Sequence, residues 1–215
     1  MPSTPNNRPP AAAGLLAVAL LAAGCGSADN DTPRSSGMST DPGTATVATG
    51  PAGDGAVRGV FQPWTAGAPA VTYDPAAVPA GATAEVLLIP AADGVTVRLS
   101  VTGMTPARPY GAHLHTAPCT AVPAQAGPHY QHRPDPKAAA SPPSVDPAYA
   151  NPRNEVWLDF TADQLGQATA TATQPWTFDA AAPPRSLVVH AQRTNTAPGK
   201  AGTAGPRVAC LTLPA

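Results

Sequence analysis

Proline takes 29 of the 215 positions in this chain, and that density forbids long helices. A proline inside a helix removes a backbone donor and clashes with the preceding turn, so prolines collect in loops, strand ends and linkers. What is left is a chain of short segments. From Val57 onward their apolar residues come in alternating bursts. Val95, Val97, Leu99 and Val101 alternate with Thr96, Arg98, Ser100 and Thr102, the period of two that marks a half-buried strand. Residues 85–89 read as its hairpin partner, turned through Asp93-Gly94. Further strands are predicted over 110–116, 155–160, 168–173, 185–191 and 207–213. The threonine-rich run at 168–173 suits a strand better than a helix, because β-branched side chains lose rotamer freedom in helices. Only 162–166 has a helical look, and it is short. Many short strands with turn-rich connections predict an all-β fold, a sandwich or barrel. The Pro-rich stretch 118–152 is long for a connection in a compact domain, and loops of that length are often functional.

The formal net charge of -1 and a charged fraction of 12% leave no basic stripe, which argues against nucleic acid as a partner. No repeat of solenoid or propeller type is present. Residues 1–25 read as a targeting segment: Arg8 supplies a positive start, and the apolar run 11–23 is too short for a comfortable membrane span. It ends in Leu21-Ala22-Ala23-Gly24-Cys25, which resembles a bacterial lipobox with its leucine one position early. That resemblance implies lipidation of Cys25, hence a chain exported and anchored to the lipid bilayer rather than threaded through it; the alternative is an ordinary cleaved signal peptide with Cys25 incidental. Residues 26–56 are small and polar, too poor in apolar surface to offset their ordering entropy, and read as a tether. Residues 57–215 form the folded domain. Cys119 and Cys210, far apart in an exported chain, read as one disulfide.

All five histidines lie in that domain. His113 and His115 form an H-x-H pair on a predicted strand, where side chains two apart share a face with Cα atoms roughly 6.5–7 Å apart. His190 closes the run Ser186-Leu187-Val188-Val189 on another strand. His129 and His132 sit in the long loop. An H-x-H pair alone is often just a polar strand face, and a lone loop histidine is more often a surface residue than a ligand. Imidazole-rich sites suit copper and zinc, and composition does not choose between them.

Four segments in order point further. Gly111-Ala112-His113-Leu114-His115 resembles the G-F-H-x-H strand of copper–zinc superoxide dismutases. Gly127-Pro128-His129-Tyr130 resembles their G-P-H-[FY] segment. Residues 185–190, Arg-Ser-Leu-Val-Val-His, resemble R-S-[LI]-V-[VI]-H, and Ala204-Gly205-Pro206-Arg207-Val208-Ala209-Cys210 resembles A-G-x-R-[LV]-A-C. The resemblance covers about residues 68–215. It implies a Greek-key β-sandwich or flattened barrel of about eight antiparallel strands. It also implies copper held by His113, His115, His129 and His190, with His129 in the place of the ligand that bridges copper and zinc. In that family this histidine also releases copper on reduction and carries a proton. Arg207 takes the place of the arginine that guides superoxide. Cys119 and Cys210 take the place of the intrasubunit disulfide.

The departures bear on zinc. After His129 the chain offers only His132, too soon for the usual zinc spacing. The D-L-G-N segment is absent, with Asn154-Glu155-Val156-Trp157-Leu158-Asp159 nearby instead. Thr194 stands where the family has an aspartate linking the two metal sites. The expectation is a copper site with the zinc site degraded or absent, His132 being a weak extra metal-side residue or a plain loop histidine. The implied activity is copper-dependent dismutation of superoxide to dioxygen and hydrogen peroxide, outside the cytoplasm. The rivals are a copper-binding or copper-buffering lipoprotein with little turnover, and an interaction module whose histidines are structural.

Overall fold

A computed structural model describes residues 55–139 and 142–214. The expected signal segment 1–25, nearly all of the tether and the lipidation candidate Cys25 lie outside the described residues. The fold is all-β, in two open antiparallel sheets. Strand β1 (Ala56–Val60) starts one residue before the domain boundary expected from the sequence. It is followed by β2 (Ala70–Thr72), β3 (Thr83–Ala91), β4 (Gly94–Thr102), β5 (Pro109–His115), β6 (Phe160–Thr161), β7 (Ala168–Gln174), β8 (Ser186–His190) and β9 (Arg207–Thr212). One sheet runs β1-β3-β4-β7, the other β2-β9-β8-β5-β6. The pairings β4–β7, β5–β8 and β2–β9 join strands distant in sequence, the long crossovers a Greek key needs.

The hairpin β3–β4 pairs Glu85 with Ser100 and closes at Ala91 and Gly94, as the Asp-Gly step predicts. Val95, Val97, Leu99 and Val101 are buried while Arg98 and Thr102 are exposed. These valines and leucines meet Ala112, Leu114, Leu187, Val189 and Leu211 from the second sheet in one continuous core. Burying each such side chain contributes about 1.5–3 kcal/mol.

Strands β5 and β8 differ from β4 in being buried on both faces. Ala112 and Leu114 on β5, and Leu187 and Val189 on β8, belong to the core. Gly111, His113, His115, Ser186, Val188 and His190 point the other way, and loops cover them. One of those loops carries Cys119 and a 3-10 turn at Pro123–Ala126. It packs Cys119 and Ala126 onto Val71, Val188 and Cys210 in a second, smaller apolar cluster. Cys119 and Cys210 are joined by a disulfide across a sequence separation of 91 residues. The expected strand at 155–160 is shorter than predicted. Only Phe160–Thr161 ladder with Pro109–Tyr110, and upstream the chain makes single bridges, His113 with Trp157 and Gln131 with Glu155. The segment 162–166, the one with a helical look, is not helical and turns into β7.

Candidate metal centre

The strand register assembles the site. His113 faces Val188 and Gly111 faces His190 across the β5–β8 ladder, so three imidazoles rise from the outer face of one sheet. A register shift between Val189 and His190 on the β9 side carries the last ring out of the regular ladder. Glycine is required at residue 111, because a Cβ there would lie 2.7 Å from both Ala204 Cβ and the Gln192 carbonyl, far inside contact. The fourth ring arrives from the long loop: His129 bridges to His115. One ligand nitrogen from each of His113, His115, His129 and His190 lies within 4.8 Å of the others. His132 is not part of this group. Its ring stacks on Trp176 at 4.8 Å and 7°, exposed to solvent, which makes it a packing residue of the loop.

Each ring has a partner that decides which nitrogen carries its proton. His115 Nδ1 donates to the Gly127 carbonyl at 2.9 Å, and His190 Nδ1 donates to the Gly205 carbonyl at 3.2 Å. His129 Nδ1 donates to Glu155 Oε2 at 2.7 Å. In these three rings Nε2 therefore keeps a bare lone pair. The Nε2 atoms of His115 and His190 face each other at 3.4 Å, two lone pairs with no proton between them. His113 reverses the pattern: its Nε2 is engaged by Thr194 and its Nδ1 is buried with no partner. Orphaned buried nitrogens and opposed lone pairs are costly unless a cation sits among them. The donor set thus fits one metal ion bound by four neutral imidazoles.

Electrostatics keep His113, His115 and His190 neutral. Burial, then the neighbouring rings and Arg207, push His113 and His115 well below the ordinary histidine value. Burial, then His129, lowers His190 to about 3, against a weaker opposing pull from the Gly205 carbonyl. Rings held neutral near pH 7 have their lone pairs available for a metal.

The second nitrogen of His129 is occupied by the chain itself. Glu155 is buried, and its carboxylate accepts three donors: His129 Nδ1 at 2.7 Å, Trp157 Nε1 at 2.7 Å and Gln131 Nε2 at 2.8 Å. The backbone carbonyl of Glu155 is held by Gln174 Nε2 at 2.8 Å, which fixes the residue against β7. No second cluster of metal-ligating side chains is found among the described residues. A second metal ion on the far side of His129 does not fit the residues present. The signal that could have found Glu155 is a period of two in 154–160. Val156, Leu158 and Phe160 enter the core, which leaves Glu155, Trp157 and Asp159 on the face of the histidines.

His129 and His190 line an open cleft of about 790 Å³, together with Glu155, Arg185 and Arg207, whereas His113 and His115 do not reach it. Arg207 leans over this opening with its guanidinium clamped by carbonyls. Nη1 donates to Pro123 at 2.8 Å and Ala124 at 3.3 Å, and Nη2 donates to Gly127 at 2.7 Å. The Gly127 carbonyl thus holds both Arg207 and His115. Residue 127 has φ 76°, and a Cβ there would collide with Thr116 Oγ1, so glycine is needed to present that carbonyl.

The family model described as copper/zinc superoxide dismutase matches residues 83–212. Among solved structures, a Cu/Zn superoxide dismutase from Brucella abortus is similar at 23% identity. That match covers 60% of this chain and 86% of the other, with a TM-score of 0.41. A double mutant of a superoxide-dismutase-like protein from Bacillus subtilis is similar at 14% identity, covering 60% and 87%, with a TM-score of 0.43. No curated protein matches the sequence.

Proposed function

Because the chain belongs to the copper/zinc superoxide dismutase family, we propose that it is a copper-dependent superoxide dismutase that works without zinc. The observation that carries this reading is the set of four proton-assigned imidazoles whose free nitrogens converge, two of them at a cleft overhung by an arginine. Copper, when bound, would supply a centre that accepts and returns one electron, which zinc does not do. The rest falls to the chain. Arg207 draws the anion in and holds it near the exposed edges of His129 and His190; its three carbonyl partners spread the fork without neutralising its charge. His115 and His113, deeper than the cleft, keep water and ligands away from the back of the site. His129 and Glu155 both line the cleft, and the carboxylate keeps the ring's orientation and its Nδ1 proton fixed. Dismutation of two superoxide ions to dioxygen and hydrogen peroxide consumes two protons, and His129 is the ring placed to pass one to the cleft.

The test is purified full-length chain reconstituted with copper, with zinc, and with both. One copper per chain and dismutation independent of zinc are expected. Substituting Arg207→Ala should leave copper content unchanged and lower kcat/KM by about tenfold or more, with a weaker dependence on ionic strength. Copper bound at full stoichiometry with turnover no faster than the Arg207→Ala variant would favour a copper-buffering protein instead.

The same reading puts the domain outside the cytoplasm on a lipid anchor at Cys25. It is supported by the Cys119–Cys210 disulfide, a bond of oxidising compartments, and by the lipobox-like sequence. Cys25→Ser should move the protein from the membrane fraction to the soluble fraction; retention in the membrane would rule the anchor out.

A further inference from the structure

His113 is the one ring of the four whose buried, unpartnered nitrogen is Nδ1, and the structure shows what fixes it that way. Its Nε2 lies 2.7 Å from Thr194 Oγ1. That hydroxyl lies 2.6 Å from Asp159 Oδ1, and the Thr194 backbone N–H donates to Asp159 Oδ2 at 2.7 Å. A hydroxyl has one proton to give. A carboxylate can only accept, so the Thr194 proton goes to Asp159, and the Thr194 oxygen must accept from His113. Nε2 therefore carries the ring proton and Nδ1 is left bare. Asp159 Oδ1 is itself 3.8 Å from His113 Nε2, too far for a direct hydrogen bond, so the hydroxyl is the link.

We propose that Thr194 and Asp159 act together as positioning residues for the metal, setting the proton of His113 so that its Nδ1 faces the other three nitrogens. The inference rests on the reading of the four histidines as copper ligands and adds to it two residues that touch no ligand nitrogen of the cluster. The geometry is closed on every side. His113 is fully buried and Asp159 is about one-fifth exposed at its side chain, and each carboxylate oxygen accepts one hydrogen bond from Thr194. Residue 194 is gripped at both hydroxyl and backbone. The same carboxylate thus also holds the backbone at the start of the loop that follows His190. A valine at 194 would keep the shape and remove the acceptor of the Nε2 proton, so that in the metal-free chain neither ring nitrogen has a partner and nothing favours one tautomer. A serine would keep the hydroxyl.

Two measurements test this. In the metal-free protein, long-range nitrogen–proton NMR reads the tautomer of His113 directly. The native chain and Thr194→Ser should show the proton on Nε2, and Thr194→Val should show a mixture or the reverse. Copper(II) affinity, measured by competition with a chelator of known strength, should fall about 10–100-fold in Thr194→Val and be retained in Thr194→Ser. Asp159→Asn, which keeps the shape but can present only one oxygen acceptor, should lie between. Should Thr194→Val fail to fold, Asp159→Asn supplies both readouts. A Thr194→Val protein with the native tautomer and native copper affinity would overturn the proposal, as would a Thr194→Ser protein as weak as the valine. If the native chain binds no copper at these histidines, the proposed function fails, and the tautomer measurement still decides the role of Thr194 and Asp159.

Discussion

The double substitution Cys119→Ser with Cys210→Ser should lower the stability of the domain by up to about 4.5 kcal/mol, the chain-entropy value for a 91-residue loop. The expectation is large because the bridge closes the long loop after Cys119 and strands β6, β7 and β8 into one ring. Its loss should be felt unevenly. Cys210 lies three residues after Arg207, and Cys119 begins the loop whose carbonyls at Pro123, Ala124 and Gly127 clamp that arginine. Beyond the disulfide, the loop is held to β9 near this point by the Cys119 backbone N–H donating to Thr212 Oγ1 at 3.2 Å and by the small cluster around Val188. Without the bridge, the guanidinium loses its frame before the buried rings lose theirs. Turnover should therefore fall further than copper content. Denaturant unfolding checks the first part: a midpoint displaced by less than the equivalent of 1 kcal/mol would mean the loop is held by its packing alone. Copper analysis beside dismutation assays checks the second.

Glu155→Gln should cut kcat/KM by about 10–100-fold while leaving one copper bound. An outer partner of a ligand histidine carries that order of effect, and here the partner belongs to the ring placed to pass a proton. The carboxylate accepts from three donors. An amide brings two N–H groups into the same space and must turn one of them toward a donor, which costs about 1–3 kcal/mol. Whichever donor is left facing it, His129 loses the negative charge that fixes its ring. Turnover close to native in Glu155→Gln, with copper bound, would show that the carboxylate only fills space. A zinc-dependent recovery of turnover in Glu155→His would be a further sign that the residue occupies what is otherwise a cation's place.

Much of this architecture is legible in the amino acids. The alternation of 95–101 fixes a strand and its buried face, and Asp93-Gly94 fixes the hairpin. The order of the segments around His113, His129, His190 and Arg207 brings four rings and an arginine to one place. Local patterns of this kind are set by a residue and its near neighbours. Glu155 and Asp159 were visible as residues without a clear role. Glu155 meets a ring 26 positions earlier in the chain and Asp159 meets a threonine 35 positions later. No spacing rule reaches across loops whose path is decided by tertiary packing. The strand expected at 155–160 failed for a related reason. Its alternation is real, but the backbone of Glu155 bridges to Gln131 of the loop and that of Trp157 makes a single bridge to His113, so only Phe160–Thr161 form a ladder with β5. His132 shows the converse: a histidine three residues from a ligand, whose ring finds Trp176 instead.

Glu155 is encoded in the gene and arrives with the polypeptide. A cation in its place would have to be found in the surroundings, carried to the folded domain and kept there against competitors. On the function proposed above, a dismutase assembled on this plan is finished by a single inorganic delivery. Where zinc is scarce or is being withdrawn by something else, such a protein has nothing to lose.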